Sequence, residues 1–565
     1  MTIHNMKTTT FDESNYLEWQ KVAVKSLRGL PFEKLITKTI EGIDLQPLYT
    51  SDDAFTETIA TIRAAKQQAD WIVAQPQYAT DAQAFVTELK TAIERGNEAI
   101  VYDGKTPFEW DEKSLSEVAS LVIMYPIFIT TLSQVDPFFK IFDLIPAEER
   151  SNVQGTVTLL DGSLPEGFSN VRTLGADLRA PHHQGADAVT ELALAIAEAA
   201  ELATNYQDFS KFSAKFFVRF AVDTHFFMEI AKIRAFRVLW QALSMAFGTE
   251  KADHVPVLSE TSLRSYSKLD PYVNLLRAGN ETFSAVLGGA DVVTVHPHNI
   301  LTGITPTSAR LARNIQLVIK EETLVNEVID PSGGSYFIEN LTQELVEKAW
   351  RLFVEIDDAG GYQAYVARGA LTERLVLLHA RRAEEAANST TSLIGTNNYA
   401  DLSSADLEST GGLEAEGRLA QPFEKYRAQF ANDQPNTVLV TFGELKDFKV
   451  RADFVSGFLA TGGIHTKWSP AFTTSTEAVE WIKAEQPDYM IVCATDKITE
   501  NVMGQLLTEL PAGSFIEVAG NYDAGLSKSW IDAGLNGFIA KGQDKIAKFA
   551  EITKRWKGAE QIDKA

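Results

Sequence analysis

The chain has 565 residues, with 52 Lys plus Arg against 76 Asp plus Glu, a formal charge of −24 at pH 7. That length calls for more than one domain, and 45% hydrophobic with 23% charged residues excludes a disordered, collagen-like or disulfide-stapled chain. The acidic excess argues against sequence-independent nucleic-acid binding, which needs Lys and Arg on phosphates, and against an anionic membrane as partner.

Residues 1–45 read as an N-terminal helical extension in which Trp19, Val22, Val24, Leu27 and Leu30 lie between charges and Pro31 acts as a breaker. Met1 to Lys7 lacks the apolar core of a signal peptide, and no stretch approaches the ~18 apolar residues of a spanning helix, so the cytoplasm is the expected location. Over 46–395, short β-rich runs alternate with long helical patterns. Residues 156–160, 171–174 and 291–295 read as strands, and 215–222 as a strand with a helical reading left open. Residues 187–203 and 226–246 read as helices. In the second, Phe226, Ile230, Ile233, Phe236, Trp240 and Leu243 recur every three or four residues as one face, and Lys232, Arg234 and Arg237 read as the solvated side. This alternation predicts an α/β fold, and a (β/α)8 TIM-type barrel fits the length. Residues 396–436, polar and carrying Asn397-Asn398 and Gly411-Gly412, read as an extended linker. From 437 to 565 five strands, at 437–442, near 464–467, and at 489–493, 514–518 and 537–540, alternate with five helices. That predicts a flavodoxin-like doubly wound domain.

Few side chains stand out as chemistry. His182 and His183, like His296 and His298, follow predicted strands, where barrel chemistry sits. Neither pair has a nearby Cys or His-x-x-Glu partner, so hydrogen-bonded loop or polar-core histidines are favoured and no metal site is predicted. Gly333-Gly334-Ser335 lacks both the Gly-Lys-Ser/Thr ending and G-x-G-x-x-G, and reads as a turn before a strand at 336–338. No G-x-S-x-G is present. The single cysteine, Cys493, excludes an intrachain disulfide and reads as a packing residue in an apolar strand.

Several segments resemble methylmalonyl-CoA mutase, in the family's order along nearly the whole chain. They are TIEGI at 39–43 with PLYT at 47–50, EIAKIR at 229–234 with Leu239-Trp240, TSARLARNIQLVI at 307–319, VIDPSGGSYFIE at 328–339, IGTN at 394–397 and PFEKYR at 422–427. The resemblance implies a barrel that binds acyl-CoA, joined by a belt to a flavodoxin-like cobalamin domain. The family's D-x-H-x-x-G, whose His ligates cobalt, falls on Lys446 to Arg451: the Asp on Lys446, the His on Phe448 and the Gly on Arg451. No His lies between Ala431 and Gly463. The later S-x-L falls near Thr495-Asp496-Lys497 and the Gly-Gly pair near Ala519-Gly520. In the barrel, W-T-x-R-Q-Y matches Trp71 to Pro76, so the substrate-side Thr, Arg and Tyr become Ile72, Ala74 and Pro76. The Tyr-His pair becomes Pro181-His182, which leaves His182 as a remnant, structural in preference to catalytic.

The resemblance therefore implies a degenerate cobalamin-binding domain, no catalytic residue and no cofactor bound by this chain. It implies the small, non-catalytic subunit of a heterodimer in propionate metabolism. The large subunit would hold adenosylcobalamin and interconvert (R)-methylmalonyl-CoA and succinyl-CoA. Two alternatives stay open: an active cobalamin-dependent mutase with atypical cofactor binding, and an acyl-CoA-binding regulatory module. Bulky side chains along the barrel axis would exclude the second.

Overall fold

The computed structural model describes residues 15–51, 56–66, 68–105, 108–403, 412–413 and 415–557, together with Lys7. Expectations on residues 1–6, 8–14, 404–411 and 558–565 lie outside the described residues. Helix α1, Tyr16–Ser26, starts at Asn15, whose side chain accepts from the Glu18 N–H, and it buries none of its residues. After Pro31 the chain forms a single 3-10 turn, Phe32–Leu35, and then an antiparallel pair, β1 (Thr37–Lys38) and β2 (Asp44–Leu45). The helical reading of 1–45 is thus corrected beyond Ser26. The helix stops at Ser26, before Arg28 and Gly29 turn the chain at φ +51° and +94°, Pro31 only precedes the 3-10 turn, and Gly42, at φ +70°, supplies the turn between two extended segments.

The next strands are parallel throughout. β3 (Ile72–Val73), β11 (Val292–Thr294), β10 (Val257–Thr261), β9 (Phe216–Val222) and β8 (Leu174–Asp177) form one sheet in that order. β4 (Ile100–Asp103), β5 (Ile127–Leu132), β6 (Gly155–Leu159) and β7 (Val171–Arg172) form another. The two sheets meet at both edges. Thr173 alone separates β7 from β8, and the Glu98 N–H donates to the Val73 carbonyl at 2.9 Å. Residues 215–222, which could be read either way, are a strand at Phe216–Val222 with all seven positions buried, Arg219 among them.

Around these strands lie helices α2 (Ala188–Ala203), α3 (Phe226–Ala246), α4 (Val273–Gly288), α5 (Pro306–Thr323) and α6 (Tyr336–Asp358). An apolar layer containing Leu192, Val218, Phe220, Ile233, Phe236 and Leu341 joins strands to helices. Two expectations are corrected here. Lys232, Arg234 and Arg237 are buried rather than solvated, because α3 packs against α2, α4 and α6 as well as facing the sheet. Residues 336–338 open α6 instead of forming a strand. Ile338, Leu341, Leu345, Ala349, Leu352 and Ile356 are buried along one face of that helix, and this longer periodicity overrides the local β preference of Tyr-Phe-Ile.

The expected extended segment 396–436 is only partly so. Asn397 is fully buried, with its side chain accepting from the Leu393 N–H and donating to the carbonyls of Ala386 and Thr391. Helix α7, Gln421–Asn432, has Pro422 in its first turn and buries Phe423, Arg427 and Phe430. Beyond it β12 (Thr437–Phe442), β13 (Thr466–Phe472), β14 (Tyr489–Cys493), β15 (Ile516–Ala519) and β16 (Gly537–Ile539) form a parallel sheet in the order β13-β12-β14-β15-β16. β13 is an edge strand, which is why Pro470 is tolerated inside it. Helices α8 (Leu445–Ala460) and α9 (Lys545–Lys557) pack on one face. Both faces of the sheet are apolar: Val438, Val440 and Phe442 point one way, and Leu439, Ile491 and Cys493 the other. Leu269, from the loop after β10, packs into the second of these clusters, and the Lys545 Nζ donates to the Asn397 carbonyl at 2.5 Å. The whole is a mixed α/β structure built on parallel sheets.

Candidate functional site

In open parallel sheets ligands bind beyond the carboxyl ends of the strands, where the strand order reverses. In the C-terminal sheet that place lies beyond β12 and β14. Lys446, at the start of α8, is exposed and pairs with Glu444 at 2.8 Å. Phe448 is buried, and its ring meets Trp468 of β13 edge-on at 5.9 Å. Arg451, one turn further, donates to the Tyr522 hydroxyl at 2.6 Å, pairs with Asp496 and lies over the Tyr522 ring at 5.7 Å. Gly520, at φ +124° just past β15, lets the guanidinium come close: a Cβ there would sit 3.2 Å from Arg451 Cζ. Arg451 therefore stitches α8 to the ends of two strands and occupies the approach to them. Cys493 at the end of β14 is buried, and burial pushes its thiol up to about 12, far from a thiolate at neutral pH.

The second place is the side of the first two sheets that faces away from the helices. Ala74, Ala99, Phe128, Phe217, Leu258 and Val292 form an apolar cluster there, with Ile72 packed against it. Gly175 of β8 lies opposite Phe217 in the sheet register, and a Cβ on it would come 2.4 Å from the phenyl ring. The glycine thus makes room for the aromatic ring. Gln75, next to Ala74, is held by Arg313, which donates to its Oε1 at 3.0 Å, and by its own donation to the Ala309 carbonyl.

His182 is fully buried. Its Nδ1 lies 2.7 Å from Glu191 Oε1 and its Nε2 2.8 Å from Ser262 Oγ, so both ring nitrogens are used inside the chain. His183 accepts weakly from the Leu263 N–H, His296 Nε2 lies 2.8 Å from Glu260 Oε1, and the His298 ring stacks on Tyr272. Among the described residues no group of three or more His, Cys, Asp or Glu is arranged to hold a metal ion. Burial holds His182 well below the usual histidine range, with Arg264 and Lys232 adding to the effect, and it lowers His183, His254, His298 and His379 as well. A histidine whose folded value is depressed is protonated first in the unfolded chain, so its stabilising contribution is lost as pH falls through about 6.5. Between pH 6.5 and 5.5 the wild-type chain is expected to lose about 1 kcal/mol more than His182→Gln, read from denaturant unfolding at both pH values. Equal losses in the two chains would refute a neutral buried His182.

The segments that carry the family resemblance serve the shell. Arg234 donates to Asp330 at 2.8 and 3.1 Å, to Glu339 at 2.7 Å and to the Thr342 hydroxyl at 3.1 Å, with all four side chains buried. Lys232 pairs with Glu191 at 2.8 Å and Glu229 at 2.6 Å, and Arg237 with Asp291 at 2.6 Å. The Gly334 N–H donates to Glu339 Oε1 at 2.9 Å, so this turn is aimed at the chain's own carboxylate and not at a phosphate. Sequence reading passed over Arg219, although it is the one charge in the apolar run Phe216–Val222. It also passed over the buried Asp223–Arg264 pair at 2.8 Å.

Comparison with known proteins bears on which shell this is. Residues 167–451, half of the chain, match the methylmalonyl-CoA mutase family. The chain is 32% identical to the probable methylmalonyl-CoA mutase small subunit of Mycobacterium tuberculosis over 383 residues, 65% of this chain and 62% of that protein's length. It is 28% identical over 551 residues to the methylmalonyl-CoA mutase small subunit of Propionibacterium freudenreichii subsp. shermanii, covering 86% of each. Against the small subunit of Porphyromonas gingivalis it is 25% identical over 538 residues, 85% of this chain and 87% of that one. A response-regulator structure from Chloroflexus aurantiacus aligns with 22% of the chain at 16% identity and a TM-score of 0.17. The family match and the shell it falls on agree: the chain belongs to the methylmalonyl-CoA mutase family.

Proposed function

We propose that this chain is the non-catalytic small subunit of a methylmalonyl-CoA mutase. It supports a large subunit that holds adenosylcobalamin and interconverts (R)-methylmalonyl-CoA and succinyl-CoA in the cytoplasm. The observation that carries the reading lies at the carboxyl ends of β12 and β14. Where the family's cobalt ligand stands, this chain has the buried phenyl ring of Phe448, which has no lone pair to give. Where a glycine admits the cofactor, the Arg451 guanidinium lies tied to Tyr522 and Asp496 against Gly520. These residues do not fit a cobalamin, so no reaction step is assigned to this chain.

The same reading takes the two sheets joined at Thr173 and at Val73–Glu98 as one (β/α)8 barrel over 46–395, with β7 and β8 as a single bent strand. It takes the sheet ordered β13-β12-β14-β15-β16 as a flavodoxin-like domain over 437–565. Phe128, Phe217 and Leu258 then pack as bulky apolar side chains on the barrel axis, where an acyl-CoA would run. That argues against a regulatory acyl-CoA module. His182, bound on both nitrogens, reads as a structural remnant. The relatives that cover most of the chain are named small subunits, which is the support for a larger companion.

The test is co-expression with a longer family chain from the same genome that keeps D-x-H-x-x-G. The expected result is a 1:1 complex with mutase activity and none from the isolated small chain. Turnover of methylmalonyl-CoA by the isolated chain would overturn the reading.

A further inference from the structure

Helix α4 is turned inside out relative to an ordinary surface helix, which hides its apolar stripe and shows its charges. Its charged residues Arg277 and Glu281 are only 7% and 0% exposed, while Leu276 and the preceding Tyr272 are 75% and 72% exposed. Helix α5 beside it buries Arg313 and Lys320 and leaves Val318 half exposed, although Arg310, Glu321 and Glu322 stay at its surface. Between the two runs a groove of about 420 Å³ lined by Leu275, Gly279, Phe283, Leu311, Ile315 and Val318, and no charged residue lines it. Gly279 is not required by the chain's own packing, because a Cβ there would meet nothing within 4 Å. The gap it leaves is open to a side chain from outside. The apolar surface continues from Phe283 through Phe226 at 5.9 Å and Phe227 at 5.3 Å to Phe337 at 5.3 Å.

The extent of this face decides what covers it. A helix of 16 residues is about 24 Å long, and a neighbour about 10 Å away brings the face to roughly 500 Å². That is about the size of the largest patch on an ordinary monomer, about 300–600 Å² and often functional, and is a fitting centre for a standard interface of about 800 Å² per partner. With a net charge of −24, the chain is a poor match for an anionic lipid surface. A second copy would bring another −24 to the contact, whereas the relatives' small-subunit names call for a different, larger chain.

We infer that the outer faces of α4 and α5 are the surface on which the large mutase subunit docks. The inference rests on the subunit reading above and adds where the two chains meet. The test uses the full chain co-expressed with its longer family companion, as wild type, as Leu276→Arg with Val318→Arg, and as Val450→Arg. All three positions are exposed, and Val450 lies on α8, on the other part of the molecule. The double variant is expected to keep the wild-type unfolding midpoint and to bind the companion roughly 100-fold more weakly by calorimetry, with Val450→Arg unchanged. Undiminished binding by the double variant overturns the docking surface and leaves the subunit reading standing. A wild-type homodimer that the double variant abolishes also overturns it, since a second copy would then be the occupant. A wild-type chain that does not bind the companion at all removes the subunit reading itself.

Discussion

Replacing Arg234 by Met is expected to cost the fold about 3–5 kcal/mol, because it leaves two buried carboxylates without their counter-ion. Asp330 and Glu339 are 6% and 1% exposed, and Arg234 is the cation that both of them contact. Restoring neutrality changes the outcome. In Arg234→Met, Asp330→Asn and Glu339→Gln combined, the uncompensated charge is gone and much of the loss should return. Urea unfolding of the two variants beside wild type measures this. If the single and triple variants lose the same stability, the guanidinium is packing rather than counter-charge. The arrangement gives EIAKIR and VIDPSGGSYFIE a structural role: these segments hold α3 to α6 and to the turn before it.

Emptying the space between the first two sheets is expected to be as costly. Phe217→Ala removes a fully enclosed ring and should cost about 3–5 kcal/mol, with the upper part of that range reached if the neighbouring strands cannot close in. Gly175→Ala probes the same space from the other side. Its new Cβ would lie 2.4 Å from the ring, so either Phe217 or β8 must move. In the double variant the added methyl faces the vacated space, and its cost should fall below the sum of the two. Denaturant unfolding of the three variants reads the coupling, and strict additivity would mean that the two side chains do not share the space.

Much of the strand–helix order was legible, since period-2 and period-3.6 patterns are local. What pattern could not tell is how many sides of an element are covered. The spacing in α3 marked one apolar face correctly, but Lys232, Arg234 and Arg237 on the other side meet carboxylates from α2, the turn before α6 and the loop before β11. Those partners lie 41, 96 and 54 residues away, outside any local window. The reading of Tyr336–Ile338 as a strand failed for the opposite reason: three residues were weighed without the helical register that follows them. At the candidate site Lys446, Phe448 and Arg451 are singled out by the register of the family resemblance. What Arg451 does there was not legible, because Asp496 and Tyr522 are 45 and 71 residues further on and come together only through the order of the sheet.

The central claim is that this chain has no place for the family's cofactor, and the measurement that reaches it most directly is titration of the purified chain alone with adenosylcobalamin, followed by calorimetry and visible absorption. The account predicts no binding heat, no spectral change and a colourless protein after gel filtration. A stoichiometric coloured complex of this chain by itself would contradict it.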